Sequence, residues 1–290
     1  MESTELEEFD TSTITDIPRV IWVGRSNTGK TVACAYWLMK LAQEKKLDAL
    51  IVFSATAFNG FWQKITNTVI QGWDPQLMEG IMKKREEMIS KGQKVNNLGV
   101  VLDDLIDSAF IDLKRDHIVN MQYTKGRHYK ISTFVITQKL KMISTSIRSN
   151  TEYACVLSTF NQLEKQAVAE EFSHDKDQFF KLYDEYVHSY QFLVFDNSGY
   201  ESKLFVDKAD LKEVEAYDFK RFHRKIEKPK APPSAQPKKP EDEEPKSKQF
   251  KGITEATNLV AISREGFDLT NAFDRNKKNK SARFYFHRLR

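Results

Sequence analysis

The sequence is poor in cysteine and has no long apolar run. Only two of its 290 residues are cysteines, Cys34 and Cys155, and each lies in an apolar run with no second Cys or His at ligand spacing. We therefore expect two buried thiols in a reducing compartment, not a disulfide or a zinc site. No apolar stretch approaches the ~20 residues of a membrane span, which argues against insertion into a bilayer.

The N-terminal segment lacks basic residues. Six acidic residues precede Arg19, the first base of the chain. This charge pattern is the opposite of a secretory signal or a mitochondrial presequence. We expect a cytoplasmic protein that is not secreted.

Proline is scarce outside one segment. Six of the eight prolines lie between Pro229 and Pro245, mixed with Lys, Glu, Ser and Ala. This composition cannot form a core, and it predicts a disordered linker over residues 226–250. The segment 251–290 is basic, since its last sixteen residues hold seven Lys or Arg and no acid, interleaved with aromatic residues. Such a tail suits either contact with nucleic-acid phosphates and bases or a solubilising or localising role.

Between an acidic arm (1–17) and this linker, short apolar runs alternate with longer helical stretches. The alternation over residues 18–225 predicts an α/β domain with a mostly parallel sheet flanked by helices, and functional loops at the carboxyl ends of the strands. The clearest helices are 74–92 and 161–187, and 201–207 reads as an edge strand. The apolar runs are Arg19–Gly24, Ala49–Phe53, Leu98–Leu102, Ser132–Thr137, Tyr153–Leu157 and Gln191–Phe195.

The first apolar run leads directly into the pattern G-x-x-x-x-G-K-[ST], which is a P-loop. Backbone N–H groups at the start of the following helix would form a concave site for a di- or triphosphate. Lys30 would reach the β- and γ-phosphates, and the Thr31 hydroxyl would coordinate Mg²⁺. The predicted phosphate-binding residues are Gly24, Arg25, Ser26, Asn27, Thr28, Gly29, Lys30 and Thr31.

Two further strands end in polar residues suited to nucleotide hydrolysis. The apolar run 98–102 is followed by Asp103 and Asp104, a Walker B pattern in which the first acid would hold the Mg²⁺ shell and the second would orient or deprotonate water. The run 132–137 is followed by Gln138. If its strand lies between the P-loop strand and the Walker B strand, Gln138 would face the γ-phosphate.

The P-loop, the Asp103-Asp104 pair and Thr137-Gln138, in this order, resemble the genome-packaging ATPases of large DNA viruses and virophages, including the poxvirus type. These form a branch of the FtsK/HerA superfamily. The resemblance covers roughly residues 18–225. It implies an ASCE-type sheet in the order 5-1-4-3-2, ATP as the nucleotide, and a homo-oligomeric ring that moves double-stranded DNA into a capsid. It also implies a capsid or portal protein as partner, and the cytoplasm or viral factory of a host cell as location.

The resemblance also implies that an arginine from the neighbouring subunit completes each active site. Arg127, in a basic loop before the Gln138 strand, and Arg148, after it, are the candidates, and either could instead face solvent or DNA phosphate. Lys139 and Lys141 could line a channel. The chain departs from the family pattern at Asp104, where many superfamily members carry Glu. The shorter side chain could slow turnover or place the water differently.

Two other functions fit the same residues. A helicase or partitioning ATPase would keep the hydrolytic site without packaging. A nucleotide-switch interaction module would bind ATP with negligible turnover.

Overall fold

The computed structural model describes residues 5–105 and 115–223, so the predicted linker 226–250 and the basic segment 251–290 lie outside the described residues. The described strands form one mostly parallel sheet in the order β3-β2-β4-β5-β1-β6-β7-β8. They are β1 (Arg19–Val23), β2 (Ala49–Ser54), β3 (Val69–Gln71), β4 (Leu98–Asp103), β5 (Ile131–Thr137), β6 (Tyr153–Val156), β7 (Gln191–Asp196) and β8 (Lys203–Lys208).

Helices cover both faces of the sheet. None of those in the described residues is both long enough and apolar enough to cross a membrane. They are α1 (Lys30–Gln43), α2 (Pro75–Ser90), α3 (His117–Lys125), α4 (Thr145–Ser149), α5 (Gln162–Phe172), α6 (Lys176–Tyr186) and α7 (Leu211–Ala216).

The strand order confirms the expected 5-1-4-3-2 arrangement. The five core strands in chain order are β1, β2, β4, β5 and β6, and across the sheet they run β6-β1-β5-β4-β2. The P-loop strand β1 pairs in parallel with β5 on one side and β6 on the other. The sheet is extended by β3 at one end, and by β7 and β8, both antiparallel to their neighbours, at the other. The fold is therefore that of a P-loop ATPase of the ASCE type.

Two elements differ in detail from the sequence-based expectation. The helix expected over 161–187 is two helices, because the Asp175 side chain accepts a hydrogen bond from the Gln178 backbone N–H and starts α6 anew after α5 has ended. The expected edge strand is present as β8, and its edge is covered by the N-terminal segment. Phe9 N–H donates to the Val206 carbonyl at 2.8 Å, and Val206 N–H donates to the Glu7 carbonyl at 3.0 Å.

The core lies on both faces of the sheet. Every residue of β1 is buried, as expected for a central parallel strand covered by helices on both sides. On one face, Trp22 of β1 meets Trp37 of α1 edge-to-face, with ring centroids 5.1 Å apart. Cys34 and Cys155 lie in that same cluster, buried and unpaired, which confirms the expected buried thiols. Burial raises the pKa of each thiol well above the usual value for cysteine.

Candidate functional site

The P-loop connects β1 to α1 in a conformation that depends on glycine. Gly29, the residue before α1, has a φ of +91°, a left-handed conformation that side-chain-bearing residues rarely adopt. A Cβ on Gly24 would lie 2.9 Å from the Leu157 Cβ, so a side chain there would displace the segment after β6. Neighbouring strand ends hold the loop, since Gly24 N–H donates to the Thr137 carbonyl and Arg25 N–H to the Ser158 carbonyl.

Lys30 points its ammonium group back into this loop. Its Nζ donates to the Arg25 carbonyl at 2.7 Å, and the residue is only 7% exposed. Burial lowers the pKa of Lys30, and the nearby carboxylates of Asp104 and Asp103 partly oppose that effect. A bound anion stabilises the charged form of a buried lysine. The environment of Lys30 therefore fits its predicted contact with phosphate.

Asp103, the last residue of β4, is held by two donors from neighbouring elements. Its Oδ2 accepts from the Trp62 indole Nε1 at 2.7 Å and from the Ser54 Oγ at 3.1 Å. Burial raises the pKa of Asp103, while these two hydrogen bonds and Lys30 oppose the rise. The carboxylate is thus fixed in orientation at the sheet edge beside the P-loop.

Gln138 links the second acid to the P-loop. Because β5 lies between β1 and β4, the residue after it stands between the two motifs. The Gln138 Nε2 donates to Asp104 Oδ1 at 3.0 Å, and the Ser26 Oγ donates to Gln138 Oε1 at 3.0 Å. Asp104 itself has a φ of +52°, which aspartate tolerates better than most residues. One chain of hydrogen bonds therefore joins three strand ends.

The donor set beside the P-loop suits Mg²⁺. Thr31, half-buried in the first turn of α1, offers a hydroxyl, and Asp103 offers the carboxylate oxygen that the two donors leave free. Oxygen ligands of this kind fit Mg²⁺, which is usually held by one or two side chains together with substrate phosphates. Within residues 5–105 and 115–223, no group of three or more His, Cys, Asp or Glu side chains forms an independent metal site.

The two arginines considered for a role in trans lie in different settings. Arg148 is tied to its own chain, since its Nε donates to Glu171 Oε2 at 2.7 Å and its side chain is 16% exposed. Arg127 is exposed and precedes β5, so it lies at the sheet edge opposite the P-loop. Of the two lysines after Gln138, Lys141 pairs with Glu170 at 3.7 Å, and Lys139 is exposed.

The two residues that hold Asp103, Ser54 and Trp62, were not predicted from the sequence. Ser54 ends β2 and is in register with Asp103 on β4, so extending the predicted strand 49–53 by one residue would have placed it. Trp62 lies in the irregular connection between β2 and β3, where no periodic pattern indicates which side chain turns inward. Its position could not be read from the sequence.

Two solved structures are similar to the chain. The EssC ATPases 2 and 3 from Geobacillus thermodenitrificans are 15% identical, with a TM-score of 0.50 over 72% of this chain and 44% of that one. The genome packaging NTPase B204 from Sulfolobus turreted icosahedral virus 2, in complex with AMPPCP, is 14% identical, with a TM-score of 0.49 over 66% of this chain and 98% of that one. At these identities the likeness concerns the fold alone.

No curated protein sequence matches the chain. A family model does, and its description is "Poxvirus A32 protein". The match spans residues 7–181, more than half of the chain, and includes the P-loop, the Asp103-Asp104 pair at the end of β4 and Gln138. The chain therefore belongs to the poxvirus A32 protein family.

Proposed function

We propose that this protein is an Mg²⁺-dependent ATPase that moves double-stranded DNA during viral genome packaging. The observation that carries the proposal is the convergence of the P-loop, the Asp103-Asp104 pair and Gln138 at one sheet edge, joined by the Ser26–Gln138–Asp104 hydrogen bonds. Membership of the poxvirus A32 protein family, together with the resemblance to packaging ATPases described above, supports the packaging role.

In this proposal the P-loop binds the triphosphate and Lys30 moves from the Arg25 carbonyl to the β- and γ-phosphates. Thr31 and Asp103 would hold Mg²⁺, which when bound neutralises charge on the phosphate oxygens. Ser54 and Trp62 keep the Asp103 carboxylate in place through the hydrogen bonds described above.

Asp104 and Gln138 would act on the attacking water. The amide of Gln138 adds no negative charge beside the γ-phosphate, and its hydrogen bond to Asp104 holds that carboxylate in position. A bound γ-phosphate would compete for the Ser26 hydroxyl and the Gln138 amide, so the loop after β5 would respond to the presence of the phosphate. Hydrolysis could thereby be coupled to movement of residues 139–149.

We further propose that the protein works as a ring in which one subunit completes the site of the next. Arg127 is the better candidate for the arginine in trans, because its side chain is exposed whereas Arg148 is bound to Glu171. In related P-loop enzymes, an arginine that contacts the transferring phosphoryl group stabilises its negative charge in the transition state and raises turnover by a large factor.

The first test is ATP hydrolysis by the purified protein with Mg²⁺. We expect Lys30→Ala and Asp103→Ala to lower turnover by at least about a hundredfold, because the first removes the cation at the β- and γ-phosphates and the second removes a ligand of Mg²⁺. Lys94→Ala is the matched control, since Lys94 is exposed and precedes β4, at the opposite sheet edge; its activity should equal that of the wild type. Wild-type turnover in both site variants would refute the proposed site.

The second test is the ATPase rate against protein concentration, with and without blunt double-stranded DNA. A ring motor predicts a cooperative rise with concentration and stimulation by DNA, and loss of both in Arg127→Ala. Unwinding of a tailed duplex would instead indicate a helicase. Tight ATP binding without phosphate release, in the oligomer with or without DNA, would indicate a nucleotide switch.

A further inference from the structure

An aromatic residue far along the chain lies against the phosphate loop. A Cβ built on Gly29 would lie 2.7 Å from Cδ1 and 2.9 Å from Cε1 of Tyr190. One edge of the tyrosine ring therefore rests where a side chain at Gly29 would be. Tyr190 immediately precedes β7, which is antiparallel to β6, so it lies at the same sheet edge as the P-loop.

The positions of the catalytic groups fix the direction in which a nucleotide would lie. Asp103 ends β4 and Gln138 follows β5, and both strands lie on one side of β1. The γ-phosphate must face these residues to be hydrolysed, so the nucleoside end must leave the P-loop on the other side of β1. That side is formed by β6 and β7, where Tyr190 lies.

The backbone of Tyr190 is held in place, and the residue is accessible. Its backbone has a φ of +61°, which is unusual for a bulky residue, and the Ala209 N–H donates to its carbonyl at 3.0 Å. The residue is exposed, with 37% of its surface accessible. One edge of the ring faces Gly29, and a ligand can reach the exposed part of the residue.

We infer that Tyr190 is a nucleoside-binding residue on which the base of a purine nucleoside triphosphate stacks while its phosphates occupy the P-loop. This inference rests on the proposed function, because it assigns the base subsite of the same nucleotide. An aromatic ring offers a stacking surface to any base, and the larger surface of a purine gains more from it than a pyrimidine does.

The test separates base binding from phosphate binding. Affinities for AMPPCP and for inorganic tripolyphosphate would be measured by calorimetry, and KM for ATP and CTP by hydrolysis. We expect Tyr190→Ala to weaken AMPPCP binding and to raise KM for ATP by about tenfold, with tripolyphosphate affinity and kcat within about twofold of wild type. Tyr190→Phe should behave as wild type.

Two controls guard against a purely structural effect. Tyr200→Ala removes an exposed tyrosine from the turn between β7 and β8, at the far edge of the sheet, and should change none of these values. Tyr190→Leu keeps apolar volume against Gly29 but removes the aromatic face. It should show the losses expected of Tyr190→Ala, and it carries the test if the alanine variant does not fold.

The outcomes are distinct. Equal loss of AMPPCP and tripolyphosphate affinity in the Tyr190 variants would overturn the inference, because the ring would then only shape the P-loop. Wild-type affinity for AMPPCP no greater than for tripolyphosphate would also overturn it, without any variant. A wild-type protein that binds neither probe would instead refute the proposed function itself.

Discussion

The indole of Trp62 should set the acid limit of activity through its hydrogen bond to Asp103. Replacing it in Trp62→Phe keeps most of the buried aromatic volume but removes the 2.7 Å bond to Oδ2. A hydrogen bond to a charged group contributes about 1.5–3 kcal/mol. Losing it lowers the ratio of ionised to protonated carboxylate at a given pH by at least about tenfold.

The direction of the pH effect follows from the sign of this change. Burial already raises the pKa of Asp103, and Trp62 and Ser54 are the donors that oppose the rise. Removing one of them raises the pKa further. Because the proposed site needs the ionised carboxylate, the acid limb of the pH profile of kcat should move to higher pH in Trp62→Phe, while the basic limb stays in place.

A matched control is available in the same protein. Trp22 is also fully buried, but within the described residues its indole Nε1 has no hydrogen-bond partner. Trp22→Phe therefore removes similar volume without removing a carboxylate donor. Both variants should lose about 1–3 kcal/mol of unfolding free energy, and only Trp62→Phe should shift the acid limb. Identical pH profiles for the two variants would refute the reasoning.

Three further predictions concern stability. Asp103→Asn should abolish turnover yet raise Tm at pH 7–8 by roughly 2–4 °C. Burial raises the pKa of Asp103, so its ionised form opposes folding above that pKa. In scanning calorimetry the gain in Tm should vanish at acid pH, where the carboxyl group is protonated. Gly29→Ala should lose about 1–2 kcal/mol in urea unfolding, since its φ is +91°. Arg85→Ala should lose about 3 kcal/mol in the same assay, because buried Arg85 donates to the Tyr129 and Lys130 carbonyls; exposed Arg127→Ala should change stability by less than about 0.5 kcal/mol.

The central strands could be predicted because a strand that is buried on both faces has a continuous run of apolar residues. All six residues of β4 are buried, and the polar residues that follow such runs belong to the edge where ligands bind. The P-loop pattern then identified which strand is central, and the resemblance supplied the order. Together these placed Lys30, Asp103 and Gln138 at one edge of the sheet.

The contacts between distant segments could not be predicted in this way. Trp62 reaches Asp103 from an irregular connection, and Tyr190 reaches Gly29 from far along the chain. Neither side chain belongs to a repeating pattern, and both are placed by tertiary packing. The three-residue strand β3 was missed for a related reason, since a run of that length carries too little periodicity to be distinguished from a loop.

The backbone at Asp104 explains why an acid shorter than the usual glutamate suits this position. Asparagine and aspartate are enriched several-fold at positive φ, and longer side chains are not. At a φ of +52°, the longer side chain of a glutamate would adopt an unfavourable conformation. Its extra methylene would also shift the carboxylate from the position in which it accepts the hydrogen bond from Gln138. A glutamate at position 104 would therefore require changes in the turn and at Gln138 as well. We expect position 104, its turn and position 138 to vary together among relatives.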